Sequence, residues 1–214
     1  FFRGMYSYDS KYYGSLSFRR DASSRFHKDH RWGNFWSAGG AWVISKEDFF
    51  DVDWIDMLKF KASVGSQGND NIGSYYYADT YDIVNNNNEV AYQWRQKGTE
   101  DITWETNTNY NVGFEFDLFK GRLSGSIDYF YRLTSDMLFS LNTPPSIGYT
   151  SYYVNLGDMR NTGFELVLNA TPIRNKNWNW DINFNISYVK NKVLKLPDAI
   201  KTTEVEGYKG YVNL

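Results

Sequence analysis

The stretch from Asn107 to Arg132 constrains this chain more than any other. Tyr110, Val112, Phe114, Phe116 and Leu118 are apolar, and Asn109, Asn111, Glu115 and Asp117 between them are polar. After Lys120-Gly121, Leu123, Ile127, Tyr129 and Tyr131 take one face, while Arg122, Ser124, Ser126, Asp128 and Arg132 take the other. A period of two kept up over ten or more residues is a strand with one apolar and one wet face. Strands of soluble domains usually stop after about five or six residues. Two strands of about ten residues, joined by a tight Gly turn, are long enough to cross a bilayer as a tilted hairpin.

Composition agrees with a thin apolar band. Aromatic residues make up 19% of the 214, with 18 Tyr, 15 Phe and 8 Trp, yet the mean hydropathy is -0.59. A membrane barrel accounts for both, with aromatic girdles around the wall and a polar lumen and loops. The formal net charge of -2 gives no basic footprint for nucleic acid. With no cysteine, disulfides, thiol nucleophiles and Cys-based metal sites are excluded. No run approaches the 18 apolar residues of a membrane helix. The start at Phe1-Phe2-Arg3 lacks a signal peptide, as expected of a mature product or an internal fragment.

The same alternation recurs along the chain. It predicts strands ending at Tyr8, over Tyr12–Arg19, Ser37–Ile44 and Leu58–Val64, in the two arms of the hairpin, over Phe164–Thr171, and over Trp178–Tyr188. Ser45 to Phe50 begins like a helix capped by Ser45, with acidic residues in its first turn, and reads as one short turn or helix inside a connection reaching Met57. From Lys190 the pattern dissolves, which predicts a loop. The connections alternate as well, with 9–11, 45–57, 119–121 and 173–177 shorter than 21–36, 66–105 and 134–160. Outer-membrane barrels keep short turns on the periplasmic rim and long loops on the extracellular one. A soluble sandwich has no reason to obey that parity.

Several segments resemble one family in its own order, the SusC/RagA-type TonB-dependent outer-membrane transporters of Bacteroidetes. Arg20-Asp21-Ala22-Ser23-Ser24-Arg25-Phe26 is similar to its strand-to-loop signature, with Ala22 where Gly is usual. Phe35-Trp36-Ser37 through Trp42-Val43-Ile44-Ser45-Lys46-Glu47 is similar to its Phe-Pro-Ser…Trp…Ser-x-Glu segment, with Trp36 in place of Pro. Leu58 to Gly65 followed by Gly68-Asn69, then Trp104-Glu105, the hairpin, and Asn155-Leu156-Gly157-Asp158 through Glu165 continue the match. The resemblance implies an all-β fold, an antiparallel transmembrane β-barrel segment of about eight strands from a barrel of roughly 22. Residues 1–214 would then be part of one barrel domain, without the plug, the TonB-contacting segment or the remaining strands. It further implies import of oligosaccharides or peptides, energy from TonB with ExbB/ExbD, a SusD-type surface lipoprotein as lid, no cofactor and no enzymatic role.

In such a barrel the loops and lumen carry function. Trp32, Trp36, Tyr75, Tyr76, Tyr77, Trp94 and Trp104 fall in or beside the expected extracellular loops. There they would stack on a ligand, pack against a partner, or belong to the girdle and to loop packing. His27, Asp29 and His30 offer imidazole and carboxylate donors but sit beside Lys28 and Arg31, as solvated loop residues do. Asn69-Asp70-Asn71 and Asn85 to Asn88 lack calcium-loop spacing and read as turns. Glu115, Asp117, Asp128 and Glu165 face the lumen as polar lining rather than as a glycosidase pair. Two other readings stay open: a soluble aromatic-rich β-sandwich acting as a carbohydrate-binding or adhesin module, and a self-contained eight-stranded barrel.

Overall fold

The computed structural model describes residues 1–195, 202–205 and 208–211. In chain order the strands are β1 (Phe2–Tyr8), β2 (Tyr12–Ala22), β3 (Trp32–Val43), β4 (Ile55–Asn69), β5 (Thr80–Asn86), β6 (Glu89–Gln96) and β7 (Glu105–Leu118). They continue with β8 (Leu123–Ser135), β9 (Leu138–Asn142), β10 (Ser151–Asn155), β11 (Asp158–Arg174), β12 (Asn179–Lys195), β13 (Thr202–Val205) and β14 (Tyr208–Tyr211). Eight of them form one sheet in the order β1-β2-β3-β4-β7-β8-β11-β12. Every neighbouring pair in it is antiparallel.

The register sorts side chains into two faces. One row runs Phe60, Phe114, Ile127 and Leu166 to Ile186, and the next runs Ala62, Val112, Tyr129 and Phe164 to Tyr188. One residue away the row is Lys61, Gly113, Asp128, Glu165 and Ser187. Because side chains alternate across a strand, one face of the whole sheet is apolar and the other polar. Side chains on the apolar face stay open even on an interior strand: Ile127 is 46% and Tyr129 54% exposed.

The strands outrun their apolar alternation. β3 starts at Trp32, so the loop expected over 21–36 narrows to 23–31. β12 continues to Lys195, where a loop is expected from Lys190. The ladder of backbone hydrogen bonds goes on after the lipid band ends, while the face that was apolar turns polar. The two longest loops each hold a hairpin of their own, β5–β6 and β9–β10. The short turn or helix expected at Ser45 is a single 3-10 turn over Ile44–Lys46, with Ser45 inside it and no side-chain cap.

Candidate functional site

On the polar face, charge is organised across strands. Lys61 Nζ lies 3.1 Å from Glu115 and 2.9 Å from Asp128, and Lys59 Nζ lies 3.0 Å from Glu115. Lys61 and Asp128 stand on strands that are not neighbours, with Gly113 of β7 between them in the row. A Cβ at Gly113 would come within 2.2 Å of the Asp128 carboxylate, so only glycine lets this pair meet. Arg132 Nε donates to Asn109 at 2.6 Å, and Asn191 donates to Asn161 at 2.7 Å. Lys61, Asp128, Arg132, Asn161 and Glu165 line a concave space of about 1460 Å³. Such half-exposed pairs add little stability, about 1 kcal/mol or less each. What they provide is a surface of hydrogen-bonding groups.

The long-loop rim is built differently. Phe26 and Ile102 are the largest fully buried side chains among the described residues, and with Ile72 they centre a core joined by Tyr76, Tyr77, Trp104, Leu138 and Tyr153. Three separate loops meet there. Ser23 Oγ donates to Asp70 at 2.7 Å, and Arg25 Nη1 donates to the Asp70 carbonyl at 2.8 Å. Trp104 Nε1 donates to the Arg31 carbonyl at 3.0 Å. The Asn155 amide accepts from the Thr103 N–H at 2.7 Å and donates to the Thr103 and Asp136 carbonyls, each at 2.9 Å. Glu105 accepts from Asn69 at 3.0 Å and from the Leu138 N–H at 3.2 Å. The quoted loop motifs are thus largely each other's partners.

At the short-turn rim, Glu47 accepts from the Tyr12 hydroxyl, from Trp42 Nε1 at 2.9 Å and from Lys11 Nζ at 3.4 Å. These donors, the Tyr12 hydroxyl first and the Trp42 indole next, hold its carboxyl below the usual range. This is what Glu47 does in place of serving a helix: it ties the start of β2 and the end of β3 to the turn.

The aromatic candidates separate by place. Trp32 and Trp36 lie within β3 rather than in a loop, on the apolar face, with Trp36 opposite Phe18 and Ser66. The Arg20 guanidinium sits 4.8 Å over Trp32. Tyr76, Tyr77 and Trp104 pack against the rim core, and Trp104 contacts Phe26 and Phe35. Trp94 stacks on Tyr81 at 4.5 Å and meets Tyr149 at 6.0 Å. Tyr75, at φ 66° and 62% exposed, points outward most. His27 has Asp29 3.2 Å away without hydrogen-bond geometry, and Glu100 at 3.8 Å. Among the described residues no group of three His, Asp or Glu is placed to hold a metal. Phe26, Ile72 and Ile102 carry no periodicity that marks a core, Asn69-Asp70-Asn71 reads only as a turn, and Asn155 stands out only as the start of a segment that resembles the family.

A two-faced antiparallel sheet with long and short connections on opposite rims, its loops tied into a core, is a section of an outer-membrane barrel wall. The family model for the TonB dependent receptor-like β-barrel matches residues 1–210, and the chain belongs to that family. It is 37% identical to TonB-dependent receptor P39 of Formosa agariphila, over 90% of this chain and 19% of that protein. It is 36% identical to TonB-dependent receptor SusC of Bacteroides thetaiotaomicron, over 89% of this chain and 20% of that protein. The structure of the RagAB peptide transporter superposes with a TM-score of 0.88 at 31% identity, over 98% of this chain and 24% of that one. The chain spans about one fifth of the length of the curated relatives it matches.

Proposed function

We propose that residues 1–214 are part of the barrel domain of a TonB-dependent outer-membrane transporter that imports oligosaccharides or peptides. The observation that carries this reading is the pairing of a polar, concave inner face with a knitted rim on the long-loop side. The inner face would line the path beside a plug, and the rim would present loops to ligand and lid. Of the aromatic candidates, Tyr75 and Trp94 are best placed for ligand or partner contact, while Tyr76, Tyr77 and Trp104 would hold the loops in shape. Trp32 and Trp36 would sit in the girdle against outer-membrane lipid. The lid would be a SusD-type lipoprotein, a reading supported by the similarity to SusC and RagAB, and energy would come from TonB with ExbB/ExbD through parts of the protein outside this chain. The wall has no catalytic task. A soluble sandwich module is not favoured, because its apolar face would be covered by a second sheet, whereas Ile127 and Tyr129 stay about half exposed and β11 and β12 run to 17 residues each.

The test is uptake by cells expressing the whole transporter, offered labelled maltooligosaccharides or labelled oligopeptides, with the surface lipoprotein captured on the tagged barrel. Uptake of one class that stops when TonB is deleted, together with co-capture of the lipoprotein, is the expected result. Uptake of neither class, or uptake indifferent to TonB, would overturn the reading.

A further inference from the structure

We infer that the membrane-facing side of the long-loop rim holds a phosphate-bearing lipid headgroup, bound by Arg160, Lys190 and Lys192. The inference rests on the reading of the apolar face as the lipid face. Arg160 is paired directly with Lys192 across β11 and β12, and Thr162 with Lys190. The next pair down is Phe164 with Tyr188, so the three cations continue the apolar face by even steps. On β8 the same rows carry Leu133 and Tyr131, and on β7 Thr108 and Tyr110.

Two like charges placed directly opposite on a sheet repel. No carboxylate stands in either row from β7 to β12 to relieve them. The Arg160 guanidinium lies 5.9 Å over the Tyr131 ring, which holds it at the level of the aromatic belt. An anion arriving from outside would relieve the repulsion, and the height of the cluster fits a lipid phosphate. From Trp178 to Tyr188 a strand advances roughly 33 Å, or roughly 25 Å along the membrane normal at a tilt near 40°. That distance matches the apolar band of an outer-membrane barrel. The cations lie one and two rows beyond Tyr188, at the depth of headgroup phosphates rather than of acyl chains. Juxtamembrane Lys and Arg attract anionic headgroups, and a guanidinium is suited to paired bonds with phosphate oxygens.

The experiment uses the whole transporter in neutral detergent, mixed with phosphatidic acid or phosphatidylcholine at equal mole fraction and examined by native mass spectrometry. Phosphatidic acid is expected to be retained preferentially, and Arg160→Gln/Lys190→Gln/Lys192→Gln to lower its retention roughly a hundredfold. Lys190→Arg/Lys192→Arg is expected to keep it. Lys192→Glu alone supplies Arg160 with a partner, so it should preserve the fold and still lose the lipid. Equal retention by wild type and triple variant overturns the proposal, as does loss of preference for phosphatidic acid in the wild type. Displacement of the lipid by excess inorganic phosphate also overturns it, because the site would then be one for free phosphate. Lipid-soluble labelling of a cysteine at Ile182 in the same preparation distinguishes these failures from failure of the lipid-face reading itself.

Discussion

The wall and the long-loop rim are made by the same chain under opposite rules. In the rim, Phe26 is 0% and Ile102 1% exposed, which is how an ordinary water-soluble core is built. In the wall, Ile127 and Tyr129 of β8, which has a paired strand on each side, stay about half open. The wall needs no core, because lipid replaces the second layer and hydrogen bonding within the sheet satisfies the backbone. The rim stands in water and must bury its own apolar groups, so it gathers Phe26 from the first loop, Ile72 and Ile102 from the second, and Leu138 and Tyr153 from the third. The two regions should therefore fail separately.

The largest separation is expected at Phe26. Truncation to Ala leaves a cavity costing about 3–5 kcal/mol, enough to undo a core of this size. Limited proteolysis of the whole transporter in membranes should then cut within 23–31 or 70–104, while the heat-modifiable migration of the barrel stays as in wild type. Simultaneous loss of both would mean that rim and wall form one cooperative unit.

Next comes Phe184→Lys, on the apolar face near the middle of the band. A lysine there costs about 2–4 kcal/mol, read as a lower urea midpoint in vesicles, with no new cleavage in the rim loops. The neighbouring Asn185→Lys, on the polar face, should change stability by less than about 0.5 kcal/mol and leave the midpoint nearly in place.

The smallest effect is that of pH at Glu47. Its carboxyl is held below the usual range in the folded wall, against about 4.3 in the unfolded chain. Its contribution is therefore fully present above the unfolded value and is lost as pH falls through the lower folded value. The stability difference between wild type and Glu47→Gln should stay level above about pH 5.5 and shrink progressively in more acid solution. A difference that grows in acid would reverse the sign and remove the clamp from the account.

Alternation made the wall legible, and connection length revealed which rim is which. Alternation marks the thickness of the lipid band, however, and not the length of the strand. This is why the alternation of β12 stops at Tyr188 although its ladder continues to Lys195, and why Trp32, inside β3, lies in a stretch that reads as loop. The β5–β6 hairpin left a trace that can be recognised afterwards. Tyr81 and Ile83, then Val90, Tyr92 and Trp94, alternate around Asn87 and Asn88, whose φ values of 53° and 66° make the turn. Two Asn in left-handed geometry are what a two-residue hairpin turn asks for. The rim core left no such trace. Phe26 and Ile72 are 46 positions apart with β3 and β4 between them, Ile72 and Ile102 are 30 apart with β5 and β6 between them, and only the folded loops bring them together.

The central claim is that adjacent residues of the wall meet different solvents, and β12 offers the cleanest place to measure it. Single cysteines at Ile182 and Asn183 in the whole transporter, in native outer membranes, would be treated with a lipid-soluble and a charged aqueous maleimide. The account predicts that position 182 reacts with the lipid-soluble reagent and position 183 with the aqueous one. Protection of both positions from both reagents would place β12 between two packed layers, and equal aqueous labelling would put both faces in water. Either result would contradict a membrane wall.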